Sequence, residues 1–142
     1  MKAEEHTFEH IIVGDHVSFT KTWNREDIFT FASLSGDMNP LHIDENYAKT
    51  TKFGKPIVHG MLVASSFSAL VGMYLPGKYC LYIKQDISFK RPVYVGDILT
   101  VEGSIVAKIQ ATKMIEIKMK ISRGSEAVID GVALVQVRTP YE

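Results

Sequence analysis

From His59 to Met73 the chain reads HGMLVASSFSALVGM, a run without a single Asp, Glu, Lys or Arg and with small residues on most faces. A helix lacking a charged face has no side to present to water, so this stretch predicts a helix buried nearly all round. In a chain of 142 residues the remainder must then wrap around it. The surrounding window, Ile57 to Leu75, comes closest to a membrane span. His59, Ser65, Ser66 and Ser68 interrupt it, which favours a buried helix over a spanning one.

The second half supplies a wrapper. Tyr82–Lys90, Leu99–Ile109, Met114–Ser122 and Ala127–Val137 all read as strands, separated by the turn signals Arg91-Pro92, Gly96-Asp97 and Arg123-Gly124-Ser125. In the third, Ile115, Ile117, Met119 and Ile121 point one way and Glu116, Lys118 and Lys120 the other. These strands exceed the usual ~5–6 residues, which suits a strongly curved, mostly antiparallel sheet. Ala127–Val137 is apolar on both faces, so its second face needs further packing or a subunit interface. Earlier in the chain, His16–Trp23 alternates as a first strand. Asn24 then caps a short helix with Glu26 and Asp27 in its first turn and Gly36 at its end, and Asp44 caps another over Glu45–Thr50. Periodicity thus gives an α+β single domain, residues 1–142, with a central buried helix.

Composition narrows the function classes. Lys plus Arg equals Asp plus Glu at 16 each, so there is no basic excess for nucleic acid or an anionic membrane. The single Cys80 has no partner for a disulfide or zinc site and reads as a half-buried strand residue. The N-terminus, MKAEEHTFEH, is polar and acidic and lacks the apolar core of a signal peptide, so a cytoplasmic protein, or a mature organellar one, is expected.

The stretch SGDMNPLHID, Ser35 to Asp44, is too polar and too broken for a helix interior or central strand. Gly36 permits a tight backbone before Asp37, and Pro40 holds Asn39 extended, so Asp37 and His42 are expected on an irregular loop rather than a helix face. A carboxylate and an imidazole within reach of one water could share its activation, with Asn39 orienting either partner. Asp-x-Asn-Pro is equally good turn chemistry, and by composition alone a turn is the better reading of Asp37. A metal held by Asp37, His42 and Asp44 matches no standard ligand spacing, and no metal is expected.

The second candidate is GKPIVHGML, Gly54 to Leu62. The first N–H groups of the buried helix have no intrahelical partner, and Gly60 would let a ligand oxygen approach them closely. Such a place suits a carbonyl that becomes enolate-like. A buried helix that simply starts at a small residue is the commoner case, and His59 reads as a packing or capping residue. Ser65, Ser66 and Ser68 lie inside the helix without a GxSxG elbow, so serine hydrolysis is a poor fit. Their plain role is to let the helix sit close against the sheet.

Together these segments resemble the MaoC-like, (R)-specific enoyl-CoA hydratases. The signature stands here as FASLSGDMNPLHIDENYAKTTKFGKPIVHGML, Phe31 to Leu62, and continues as LPGKYCLYIKQDISFKRPVYVGD, Leu75 to Asp97. The likeness extends from about Val13 to Val137, and the chain is similar to the short bacterial forms that supply polyhydroxyalkanoate synthesis. The resemblance implies a hot-dog fold and reversible syn hydration of a trans-2-enoyl-CoA to an (R)-3-hydroxyacyl-CoA. It implies Asp37 and His42 as the catalytic pair on one water, and the Gly60 N–H as donor to the thioester oxygen. Asn39 would support the loop, Ser68 would contact the catalytic carboxylate, and His59 would support the site. No cofactor is implied beyond the CoA carried by the substrate, and a homodimer with one continuous sheet is. Lys84, Lys90, Arg91 or Lys55 could meet the CoA phosphates. The competing readings are a hot-dog thioesterase, a dehydratase of another acyl-CoA, and a non-catalytic acyl-CoA-binding module.

Overall fold

A computed structural model describes residues 1–142. Strand β1 (His16–Lys21) is followed by helix α1 (Arg25–Ser35), which begins at a capping box: Asn24 Oδ1 accepts from the Asp27 N–H, and Asp27 returns the bond to the Asn24 N–H. Two short helices come next, α2 (Pro40–Ile43) and α3 (Glu45–Lys49). The central helix is built from α4 (Gly60–Ala64), α5 (Ser66–Ala69) and a π-helical turn over Leu70–Tyr74. Strands β2 (Cys80–Gln85), β3 (Ser88–Phe89), β4 (Leu99–Ile109), β5 (Met114–Arg123) and β6 (Glu126–Val137) complete the chain. They form one antiparallel sheet in the order β1-β4-β5-β6-β2, with β3 also pairing with β6.

The sheet's inner face and the central helix bury one apolar cluster. Phe67 and Leu70 from the helix, Val101 and Ile105 from β4, and Ile117 and Met119 from β5 are each at most 1% exposed. Close approach is set from the sheet side: a Cβ on Gly103 of β4 would stand 3.1 Å from the Leu70 methyls. No helix is long and apolar enough to cross a membrane.

Four sequence expectations need correction. The central helix is not buried all round, since Met61, Ser65, Ser68 and Ala69 form an exposed face. It is also broken at Ser65, whose hydroxyl donates back to the Leu62 carbonyl at 2.5 Å and competes with the regular ladder. The single strand expected over Tyr82–Lys90 is two, because the chain steps at Asp86 to cross β6 at Gly131. The Asp86 carbonyl lies where a Cβ on Gly131 would stand, and Asp86 Oδ1 accepts from the Val132 N–H at 2.9 Å. His42, expected on a loop, is on α2, which Pro40 starts rather than forbids: at the first helical position its missing N–H costs nothing. The N-terminal segment, read only as polar, sinks Phe8 and Ile11 into the core.

Candidate active site

Helix α1 ends where Gly36 turns left-handed, φ 83°, with its N–H on the Ala32 carbonyl. That turn delivers Asp37, whose own N–H donates to Ser35 Oγ at 3.1 Å. Asp37 Oδ1 accepts from the Asn39 N–H at 3.2 Å, and Asn39 Oδ1 accepts from the Leu41 N–H at 2.9 Å as the cap of α2. Asn39 is therefore the joint that orients the helix carrying His42.

His42 Nδ1–H donates to the Ile57 carbonyl at 2.9 Å, which leaves a lone pair on Nε2. Nε2 faces Asp37 Oδ2 across 3.9 Å. The gap is too wide for a direct hydrogen bond but suits one water with limbs of ~2.8 Å. The Asp37 side chain is 49% exposed and the His42 side chain 13%, so the carboxylate faces open space and the imidazole is walled in. Beside the pair lies a cavity of about 480 Å³ whose walls include Asp37, His59, Gly60, Phe53, Phe89 and Ile129.

Gly60 begins α4 with its N–H unpartnered in the chain. A Cβ there would stand 2.8 Å from Cδ1 and Cε1 of Phe89, so only glycine admits that ring so close. His59 precedes it, 1% exposed. Its side chain does not cap the helix. Instead Nε2–H donates to the Asp37 carbonyl at 3.0 Å, and the ring stacks on His42 with centroids 3.9 Å apart at 28°. Burial holds the His59 imidazole below its ordinary pKa, and neighbouring His42 adds to the effect against the opposing Asp37 contacts.

Asp37, His42 and His59 offer ligand-type atoms within 4.8 Å of one another. An imidazole binds a metal close to its own ring plane, and two stacked rings send their lone pairs side by side rather than to one point. The stack thus opposes joint ligation. Asp44 lies outside this group and caps α3, accepting from the Tyr47 N–H at 3.0 Å. Ser68 is exposed on the central helix, and the Asp37 carboxylate accepts from the Asn39 N–H. Lys90 and Arg91 line the cavity but are paired with Asp130 at 3.6 Å and Glu126 at 2.8 Å. Lys55 lies over the Tyr94 ring at 4.8 Å, and Lys84 is an exposed residue of β2 away from the cavity walls.

Residues 9–126 match the family model of the MaoC-like domain. The chain belongs to that family. Among MaoC-like relatives, it is 39% identical to an (R)-specific enoyl-CoA hydratase of Rhodospirillum rubrum, over 93% of this chain and 92% of that protein. It is 41% identical to the (R)-specific enoyl-CoA hydratase of Aeromonas caviae, over 88% of this chain and 94% of that one. The solved A. caviae (R)-hydratase, described as involved in PHA biosynthesis, superposes with a TM-score of 0.86 over 89% of this chain and 97% of that chain. An R-hydratase of Pseudomonas aeruginosa, unliganded, superposes with a TM-score of 0.90 at 32% identity, over 96% of this chain and 88% of that chain. The fold is the hot-dog fold of these MaoC-like hydratases.

Two features of the site were missed in the sequence. The Ile57 carbonyl that orients His42 carries no side-chain signal at all. Phe89, though inside the quoted signature, gives no sign that its ring rests on Gly60.

Proposed function

We propose that the chain is a hydro-lyase that adds water to trans-2-enoyl-CoA, giving (R)-3-hydroxyacyl-CoA, and runs the reverse dehydration. The observation that carries this reading is the 3.9 Å gap between His42 Nε2 and Asp37 Oδ2, opening beside a cavity that also holds Gly60 at a helix start. The hydratase relatives over most of the chain support it.

Water bound between the two side chains attacks C3. Its oxygen forms the new C–O bond while Asp37 accepts one of its protons. The C2=C3 electron pair moves toward the thioester, whose oxygen gains charge and is met by the Gly60 N–H. The proton taken from the water passes through the Asp37–His42 pair, where the His42 Nε2 lone pair can receive it. It returns from the His42 side of the same water site to close C2, leaving both side chains as they began. Both additions come from one face, hence syn geometry. The balance needs only water and the enoyl thioester, and the CoA belongs to the substrate.

The test is crotonyl-CoA with the enoyl-thioester absorbance followed in time. Expected is loss of absorbance without free thiol, and a product oxidised by an (R)-specific but not an (S)-specific 3-hydroxyacyl-CoA dehydrogenase. Released thiol would mean a thioesterase. No change with C4, C6 or C8 enoyl-CoA would overturn the hydratase reading.

The same reading takes the molecule as half of a homodimer. Strand β2 is a sheet edge with an unpaired side, and its Leu81 and Ile83 are 47% and 45% exposed. An edge of that kind calls for a pairing strand.

A further inference from the structure

We propose that His59 is a positioning residue, a buried imidazole that sets the separation of Asp37 and His42 and ties both to the helix start bearing Gly60. The inference rests on the hydration reading and extends it. Three contacts from one side chain carry it. The Nε2–H holds the Asp37 backbone at its carbonyl, 3.0 Å away. The ring face supports His42 at 3.9 Å between centroids, and the Phe31 ring of α1 meets it edge-on at 4.9 Å. The backbone of the same residue belongs to the oxyanion end: its carbonyl accepts from the Val63 N–H at 3.1 Å, and Gly60 follows it directly.

The α1–α2 loop, α2 and the central helix therefore meet on one residue. Without it the carboxylate and the imidazole are linked only through Asn39 and the cap of α2, and nothing ties their separation to the helix start bearing Gly60. His59 touches no reacting atom in this arrangement. The titratable groups facing it are Asp37 and His42, while α1 presents only the apolar Phe31. Its remaining nitrogen, Nδ1, is buried without a partner, which fits a ring kept for its Nε2–H and its face.

The experiment compares His59→Leu and His59→Gln in the full chain, with kcat and KM for crotonyl-CoA and circular dichroism recorded together. Leu removes donor and ring, and kcat is expected to fall ~10²-fold with KM within about threefold, the scale of a ~1 Å misplacement of reacting groups. Gln returns an amide N–H near the Nε2 position and is expected to recover kcat to within about tenfold of the unmodified chain. A folded Leu variant with kcat within about threefold of the unmodified chain overturns the proposal, as does a folded Gln variant no better than Leu. Nitrogen-15 NMR of the imidazoles in the unmodified chain needs neither variant nor turnover. His59 is expected to keep its proton on Nε2 and to be less protonated at pH ~6.5 than an ordinary imidazole, which is half protonated there. A ring protonated on Nδ1, or one that titrates there normally, overturns the assignment even if the Leu variant fails to fold. If the unmodified chain hydrates nothing while the Nε2–H form is found, the hydration reading falls and the placement of His59 is supported.

Discussion

Asp37 and His42 differ in burial, and their proposed tasks differ accordingly. An open carboxylate can meet an incoming substrate and its water, whereas a walled imidazole with Nδ1 fixed on Ile57 keeps one nitrogen aimed at the gap. Asp37→Asn and His42→Ala are each expected to lower kcat by ~10²-fold or more, because each removes a proton-transfer partner. Near-full activity in either folded variant would contradict the assigned role. His59 has a separate signature in stability. Its folded pKa is held low, so in the window below the ordinary imidazole value of ~6.5 the unfolded chain binds more protons than the folded one. The stability this burial contributes is complete above that value and drains away as pH falls toward the folded pKa. Urea unfolding at about pH 7.5 and 5.5 should show a larger loss in the unmodified chain than in His59→Gln, and equal losses would refute it. The residue types at these positions were legible in SGDMNPLH and VHGML. The stack between two histidines far apart in sequence was not, because ring contact depends on how α2 lies against the helix start.

Among the elements, α1 was the easiest to read. Its capping residues, acidic first turn and terminal glycine all act within the segment itself, so local sequence is sufficient. Helix α2 was misread because Pro40 carries two opposite local meanings: it ends a helix that precedes it and starts one that follows. Asn39 decides between them by capping the following turn. Asn39→Ala is expected to cost about 1 kcal/mol of stability and to lower kcat more than it raises KM. Thermal unfolding and steady-state kinetics check both, and unchanged kcat would mean α2 keeps its place without the cap. The split of the Tyr82–Lys90 strand had no local signal either, since it is imposed by a close crossing at Gly131 on β6, more than forty residues away in sequence.

For the whole molecule, Met61 and Ala69 on the exposed side of the central helix and Leu81 and Ile83 on the open edge β2 leave apolar surface unpartnered. Light scattering after size exclusion is expected to give twice the 15.9 kDa chain mass. A monomer at micromolar concentration would contradict the dimer reading, and Ile83→Asp should shift the dimer toward monomer if edge pairing holds it. An uncharged helix beside long alternating strands was enough to determine a sheet wrapped on a helix, because burial of apolar surface follows from pattern alone. The sequence by itself also put a carboxylate, an imidazole and the glycine at the helix start forward as candidates. What only the tertiary structure decided was distance and company: the 3.9 Å gap, the His42–His59 stack and the Phe89 ring against Gly60. Those depend on contacts between segments remote in the chain, and local periodicity holds no record of such contacts.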